Sequence, residues 1–404
     1  MNNPLLHFQV DSLFQEEIKK LPWHLPLEEW RKTDVRFLNI KQGISRHLVI
    51  FVKSGRFSFG IKEISKEIAQ KEISNYEKLL LLGIHTLIPV GYVVRTENPI
   101  AVETPVGIHY EKNTVAHTIT LLVEKVIPDS QLYPIKFSQE NREKILDCIA
   151  ELFVELHGNG VYWGDASLAN TLIKIEKKEI PFIGTKRILQ AYLADAETVE
   201  IHKEISSQMR EADIQFFFES MEWLYEDIRQ SGREYKIPLE EEKQYLKNKY
   251  ENLYAVKQRK KDFEKETNFD IEKCLGGLTN PMYVDLLFKH INEHKWYLSE
   301  KAKEEISLTE AVDDWYKKIF LPLCVLFRTE GIVEHTQGKT AAELYIEIMT
   351  HKYYMSEKAQ HDVGMIAATK DYIHHLGIQT FPKKLRVITQ KMKSLFKKEH
   401  YNVH

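Results

Sequence analysis

The alternation of apolar and polar positions divides the chain into a strand-rich front and a helical back. Residues 35–40 and 47–52 are short runs rich in Val, Ile and Phe, the composition of strands. Lys53, Ser54 and Gly55 signal a turn. Across residues 56–63, Phe57, Phe59 and Ile61 share one face, and Ser58, Gly60 and Lys62 share the other. Three such strands joined by short turns predict an antiparallel sheet. The spacing becomes helical over residues 63–82, with Gly83 as its C-cap. Strand composition returns over residues 87–126 (VGYVVRT, AVETPVGI, TITLLVEKVI). Ser138 predicts the cap of a helix running to His157, and the chain beyond is mainly helical except for a strand-rich interval over 161–200. A β-rich front with one helix, then a helical back, predicts two lobes in the α+β class.

Residues 1–30, broken at Pro22 and Pro26, read as an extension with short helices. Residues 238–266 are dense in Glu and Lys and predict a solvated helix connecting domains. The last third contains a repeat. His294-Lys295-Trp296-Tyr297-Leu298-Ser299-Glu300-Lys301-Ala302 recurs as His351-Lys352-Tyr353-Tyr354-Met355-Ser356-Glu357-Lys358-Ala359, an offset of 351 − 294 = 57. Ala311 then meets Ala368, Asp314 meets Asp371 and Trp315 meets Tyr372. Two copies of a helical unit are expected, each starting its second helix near the Ser-Glu pair. The expected organisation is an extension (1–30), a sheet lobe (31–126), a helical lobe with its connector (127–260), a helical repeat domain (261–382) and a basic amphipathic tail (383–404).

A length of 404 residues allows one to three domains, and 43% hydrophobic with 28% charged residues is an ordinary globular composition. The net charge of −3 gives no global pull toward nucleic acid or membrane. Cys148, Cys274 and Cys324 are sparse and odd in number, which argues against a disulfide framework and for a reducing, cytoplasmic setting. The N-terminal residues show no secretory pattern, and the apolar run over 319–327 contains Pro322 and is far shorter than the ~20 residues of a membrane span. That run reads as a buried helix or bend.

The residues that carry chemistry begin at Leu156-His157-Gly158-Asn159-Gly160-Val161-Tyr162-Trp163-Gly164-Asp165-Ala166-Ser167-Leu168-Ala169-Asn170. Phosphoryl transfer needs a cation for the phosphates, carboxylate and amide oxygens for Mg²⁺, and a carboxylate to orient the attacking hydroxyl. Asp165 and Asn170 are separated by four residues, and Asp195 ends an apolar strand, Tyr192-Leu193-Ala194-Asp195. Lys62 stands on the small-residue face of its strand. Glu72 lies in the helical stripe Ile64, Ile68, Glu72, Tyr76, and a carboxylate in an apolar stripe needs a partner. Taken alone, Asp195 is also consistent with a strand-terminal turn and Lys62 with an edge strand.

Together these runs resemble the protein-kinase-like superfamily, whose catalytic loop has an Asp, four residues and an Asn. The resemblance implies that Asp165 is the catalytic carboxylate, that Asn170 and Asp195 hold Mg²⁺, and that Lys62 holds the ATP phosphates. It implies Glu72 as the partner of Lys62, with Glu67 and Glu77 as alternatives. It places Gly60 under the adenine and makes residues 122–126, with Glu124 and Val126, the lobe-connecting hinge. The glycine-rich phosphate loop is missing; only Gly43, Ser45 and Arg46 stand between the first two strands to contact phosphate. Asp213 is expected either to support the catalytic loop or to cap a helix.

The branch that fits is the lipopolysaccharide-kinase-like group, in bacterial proteins where such a domain precedes an uncharacterised helical domain. The runs that carry this likeness are 161–172, 195–198 and 351–364. It implies a protein-kinase-like two-lobed fold followed by an all-α repeat domain. It further implies ATP and Mg²⁺ as cofactors and a small-molecule or glycan hydroxyl as acceptor, since the Ala-Pro-Glu run of peptide-directed kinases is absent. The alternative is a nucleotide-binding pseudokinase whose repeat domain holds a partner.

Three other features carry less. His290 and His294 are one helical turn apart, as are Glu347 and His351, a metal-ligand spacing outweighed by packing with Trp296 and Tyr297. Gly338-Lys339-Thr340 lacks the upstream glycine and strand of a phosphate loop. The tail over 383–398 has Leu385, Ile388, Met392 and Leu395 on one side, which suits weak membrane-surface contact or docking on the protein's own body. Nothing in the sequence fixes the oligomeric state.

Overall fold

The computed structural model describes residues 4–40, 47–96, 100–104, 107–111, 114–180, 184–232, 238–276, 281–329, 332, 336 and 339–375. Gly43, Ser45, Arg46 and the basic tail lie outside the described residues. The chain forms two compact units: Met1–Glu176 with Leu189–Tyr250, and Lys177–Ile188 with Glu251–His404. The second unit therefore takes in the tip of a hairpin and begins at Glu251, ahead of the boundary expected at 260.

The first unit opens with β1 (Leu5–Val10), α1 (Gln15–Lys19) and a 3-10 turn (Leu27–Lys32). The strands β2 (Arg36–Phe37), β3 (Val49–Ser54) and β4 (Phe57–Ile64) precede helix α2 (Lys66–Leu81). Then come β5 (Ile88–Thr96), the hairpin β6 (Ile100–Thr104) and β7 (Gly107–Glu111), and β8 (Thr114–Leu121). One antiparallel sheet results, in the order β1-β5-β8-β4-β3-β2. Residues 5–30 are not the separate extension expected. β1 pairs with β5, and Phe14, Ile18, Trp23, Leu27 and Trp30 are buried against Ile50, Phe59, Ile61 and Ile119 of the sheet. Each fully buried side chain of this size contributes about 2–3 kcal/mol of transfer energy, so the segment completes a core rather than decorating it. Both indoles are satisfied locally: Trp23 donates to Ile18 O at 2.6 Å and Trp30 to Leu25 O at 3.2 Å.

Ser65 caps α2 by accepting from the Ile68 N–H, and Gly83 follows the helix at φ +73°. The buried face is Ala69, Glu72, Ile73, Tyr76 and Leu79, together with Asn75. Ile68, expected in the buried stripe, is 36% exposed because it sits in the first turn, at the rim.

The helical part of this unit follows β9 (Val126–Pro128) and α3 (Asp129–Leu132). Helix α4 (Gln139–Gly158) starts at Ser138, whose hydroxyl accepts from the Asn141 N–H. Beyond it come β10 (Val161–Tyr162), β11 (Thr171–Ile180), β12 (Gly184–Leu193), β13 (Glu200–Ile201), α5 (Ser207–Gln230) and α6 (Leu239–Thr267). Phe153, Leu156, Trp163 and Phe217 are buried here, with Phe153 edge-on to Phe217 at 5.6 Å. Residues 122–125 form the turn between β8 and β9, so Glu124 and Val126 lie where the sheet passes into the helical part.

Among its described residues the second unit is helical apart from the hairpin tip: it holds the part of α6 from Glu251 onward, then α7 (Glu272–Leu275), α8 (Pro281–Ala302), α9 (Leu308–Trp315), a π turn (Tyr316–Phe320), α10 (Leu321–Thr329), α11 (Ala341–Ala359) and α12 (Met365–His375). The apolar run around Pro322 is the buried helix expected, preceded by the π turn. The repeat is visible bond for bond. His294 Nε2 lies 2.9 Å from Asp314 Oδ2, and His351 Nε2 2.8 Å from Asp371 Oδ2. Lys295 reaches Glu305, and Lys352 reaches Asp362. The Ser-Glu pairs do not start second helices. Ser299 donates to Lys295 O inside α8 and accepts from the Ile306 N–H, so the helix runs on and the following turn folds back onto its last turn. Ser356 accepts from Val363 N in the same way. Of Trp296 and Tyr297, expected to pack the repeat core, Trp296 is 66% exposed and Tyr297 only partly buried; Trp315 and Tyr345 pack it instead, joined by a hydrogen bond of 3.0 Å. Thr340 caps α11 in a capping box with Glu343, so Lys339 and Thr340 lead into a helix, while Gly338 lies outside the described residues.

Candidate active site

Lys62 enters the site from β4, opposite Val49 on β3 and Thr118 on β8. Gly60, two residues before it, pairs with Phe51 and Thr120. A Cβ there would stand 3.3 Å from both the Phe51 ring and Thr120 Oγ1, so the smallest residue keeps this face open. The Lys62 ammonium donates to three carboxylates: Glu197 Oε2 at 2.8 Å, Asp195 Oδ2 at 3.0 Å and Glu72 Oε1 at 3.4 Å. Among the candidates for its helix partner the structure selects Glu72 over Glu67 and Glu77.

Burial by itself would lower the Lys62 ammonium, but Glu72 and then Asp195 outweigh it and hold the group above its ordinary value, so it is charged at neutral pH. Burial raises Glu72 most, with Lys62 opposing, and the carboxyl stands at about 7. Asp195 is also raised, first by burial, with Lys62 opposing and Glu197 adding to the rise. Three carboxylates facing one ammonium leave an excess of negative charge, which is the setting for a divalent cation.

The Asp195 segment is fixed on several sides. Ala194 N donates to Asn170 O at 2.9 Å, which brings the strand end beside the loop. Asn75 of α2 donates to Ala196 O at 2.8 Å and to Val199 O at 3.0 Å. Tyr76 donates to Ala194 O at 2.6 Å. Trp163 Nε1 donates to Asp195 O, and Thr198 Oγ1 returns a bond to Trp163 O. Asp195 Oδ1 accepts from the Glu197 N–H at 3.1 Å.

The loop between β10 and β11 holds Asp165 and Asn170 together. Asn170 Nδ2 donates to Asp165 O at 3.0 Å and to Asp165 Oδ2 at 3.3 Å, which leaves the amide oxygen as the atom it can offer a metal. Ser167 Oγ accepts from Asn170 N, and Thr171 Oγ1 donates to Ser167 O. Beneath the loop lies Asp213, in the second turn of α5 and fully buried. It accepts from Trp163 N at 2.8 Å and Gly164 N at 2.7 Å, and His157 Nε2 stands 3.2 Å away. Of the two roles expected for Asp213, the supporting one is what the geometry displays. Burial lowers the His157 imidazole, which favours its neutral form between Asp213 and Tyr250.

The structure thus brings together Lys62, Glu72 and Asp195 around one ammonium, and Asp165 with Asn170 in one loop tied to the Asp195 strand. Sequence reasoning missed Glu197, Asn75 and His47, whose Nε2 lies 3.5 Å from Glu197 Oε2. Asn75 sits three residues after Glu72 on the same helix face, and that periodicity was the available signal. An antiparallel sheet crossed by one helix, a lysine–glutamate pair between them, and a helical part carrying Asp-x₄-Asn and a strand-end Asp make up a protein-kinase-like fold.

Comparison with known proteins gives the following. Residues 234–320 and 329–376 match a family described as a domain of unknown function (DUF4032). None of the curated proteins compared matches the sequence. Among solved structures, the chain is similar to WaaP in complex with acyl carrier protein, at 11% identity and TM-score 0.35, covering 62% of this chain and 99% of that one. It is similar to the Rio2 kinase from Chaetomium thermophilum in an ADP/Mg²⁺-phosphoaspartate complex, at 14% identity and TM-score 0.29, covering 54% of this chain and 64% of that one. A second structure of that kinase gives 16% identity and TM-score 0.32, covering 55% and 67%.

Proposed function

We propose that the first unit is an ATP- and Mg²⁺-dependent phosphotransferase acting on a hydroxyl of a small molecule, sugar or lipopolysaccharide-type glycan. The observation that carries this reading is the Lys62 ammonium, 3.0 Å from Asp195 and 3.4 Å from Glu72 on the open face of the sheet. Lys62 would hold the ATP phosphates, and Glu72 would fix its position. Gly60 would leave room for the adenine, with the backbone near Glu124 and Val126 as its hydrogen-bonding edge. The Asn170 amide oxygen and the Asp195 carboxylate suit Mg²⁺, which prefers oxygen ligands and leaves most of its shell to water and phosphate. Bound there, the ion would neutralise charge on the phosphates. Asp165 would orient the acceptor hydroxyl and take its proton.

A second reading is a nucleotide-binding pseudokinase. What favours it is Glu197, whose 2.8 Å bond to Lys62 is the shortest of the three and must yield before a phosphate can take the ammonium. Asp165→Asn separates the readings. A transferase should turn over ATP in the presence of its acceptor and lose that rate by about 10²–10⁴-fold in the variant, the usual weight of a positioned acid–base group, while nucleotide still binds. Equal ATP turnover in wild type and Asp165→Asn contradicts the transferase.

A further inference from the structure

The two repeat copies differ at one position that the bonding pattern makes conspicuous. In the first copy, Asp314 meets His294 from one side and Lys318, one helical turn ahead, from the other. In the second copy Asp371 meets His351, and the residue at the offset of 57 from Lys318 is His375. His375 Nδ1 lies 3.3 Å from Asp371 Oδ2, while His351 Nε2 lies 2.8 Å from the same oxygen. One ligand atom from each of the three residues falls within 4.8 Å of the others. A lysine has thus been replaced by a side chain that ligates metals. The first copy carries a built-in cation beside its aspartate; the second presents two imidazoles and a carboxylate.

We infer that the second repeat binds a divalent transition metal of the zinc class through His351 Nε2, the Asp371 carboxylate and His375 Nδ1, and that the first repeat does not. Two imidazoles and one carboxylate form a common ligand set for such ions. Bond lengths of about 2.0–2.2 Å in a tetrahedron place neighbouring ligand atoms roughly 3.3 Å apart, within the spacings seen here. Asp371 and His375 are one turn apart on α12, and His351 comes from α11, so two packed helices set the geometry. Access is open: His351 is 25%, Asp371 38% and His375 67% exposed, which lets an ion enter and keep a water molecule as its fourth ligand. His375 Nδ1 also lies 2.9 Å from Asp371 O, so its ring has a partner in the metal-free state, and the ring must present Nδ1 as the bare nitrogen, with the proton on Nε2, to ligate.

The test is zinc uptake by the full chain, free of any affinity tag, measured by equilibrium dialysis against ZnCl₂. Two variants accompany it: His375→Lys, which writes in the residue of the first copy, and His351→Gln. Position 375 is two-thirds exposed at the end of α12, so His375→Lys is expected to fold as the wild type does, with circular dichroism as the check. Wild type should hold one equivalent more Zn²⁺ than either variant, and Co²⁺ should give a visible d–d band in wild type alone. Retention of the ion by either variant overturns the inference, as does a wild type that takes up none.

Discussion

Asp213→Asn probes the support of the candidate catalytic loop without changing its volume. The carboxylate spreads two short bonds over two oxygens, Trp163 N to Oδ2 at 2.8 Å and Gly164 N to Oδ1 at 2.7 Å, in a fully buried position. An asparagine offers one acceptor oxygen and one NH₂. One backbone N–H then faces a donor, losing a charge-assisted bond while remaining buried. A bond to a charged group is worth roughly 1.5–3 kcal/mol and an unsatisfied buried donor about 1–3 kcal/mol, overlapping terms that place the loss at about 2–4 kcal/mol. At 1.4 kcal/mol per factor of ten, opening of the loop becomes roughly 30–700-fold more populated. Hydrogen–deuterium exchange read by mass spectrometry on peptides covering 161–166 reports this directly. Exchange there should accelerate by that factor, with little change in peptides from the second unit. An acceleration under about threefold, the equivalent of less than 1 kcal/mol, refutes the assignment of Asp213 as the support.

Further outcomes follow from the same geometry. Asp129 is fully buried and its carboxyl is pushed up to about 7 by burial, with Arg142 opposing, so its stabilising contribution is complete below the ordinary carboxylate value and is lost as pH rises through about 7. Asp129→Asn should therefore be more stable than wild type above pH 7, by at most on the order of 4 kcal/mol, with the gap closing below pH ~4 in urea titrations. Gly160→Ala combines φ +75° with a Cβ 2.2 Å from His202 O and should cost about 3 kcal/mol or more. Gly83→Ala, at φ +73° with nothing within 4 Å, should cost only about 1 kcal/mol, and thermal unfolding distinguishes the two. Asn75→Ala removes two bonds to the chain after Asp195 and should cost about 2–3 kcal/mol in thermal unfolding while weakening MgATP binding.

The sequence made much of this site legible because its residues sit in regular elements. Lys62 could be placed on the face of Gly60 by strand alternation, and Glu72 in the buried stripe by the helical period. Asp195 could be placed at a strand end by the apolar run before it. Glu197 and Asn75 were not legible in the same way, because their partners lie across more than a hundred residues of sequence and only the folded loop after β12 makes them neighbours. The N-terminal segment misled for a related reason. Pro22 and Pro26 punctuate it like a linker, yet Trp23, Leu27 and Trp30 between and beyond them are core residues, and burial of aromatic side chains overrides the local breaker signal. In the repeat, the recurring nine-residue run made the offset of 57 legible, but the Ser-Glu pairs resembled helix starts because a serine hydroxyl serves equally at an N-cap and on the carbonyl one turn back.

The most direct test of the central claim is the thermal stability of the purified chain with ATP, with and without Mg²⁺, for wild type, Lys62→Ala and Asp195→Asn. A ligand held at 100 times its Kd adds about 2.7 kcal/mol to the native state, a shift of several degrees. The site described here predicts a Mg²⁺-dependent rise in wild type that Lys62→Ala and Asp195→Asn both lose. No rise in wild type at saturating ATP and Mg²⁺, or an equal rise in all three proteins, would contradict a nucleotide site at Lys62 and Asp195.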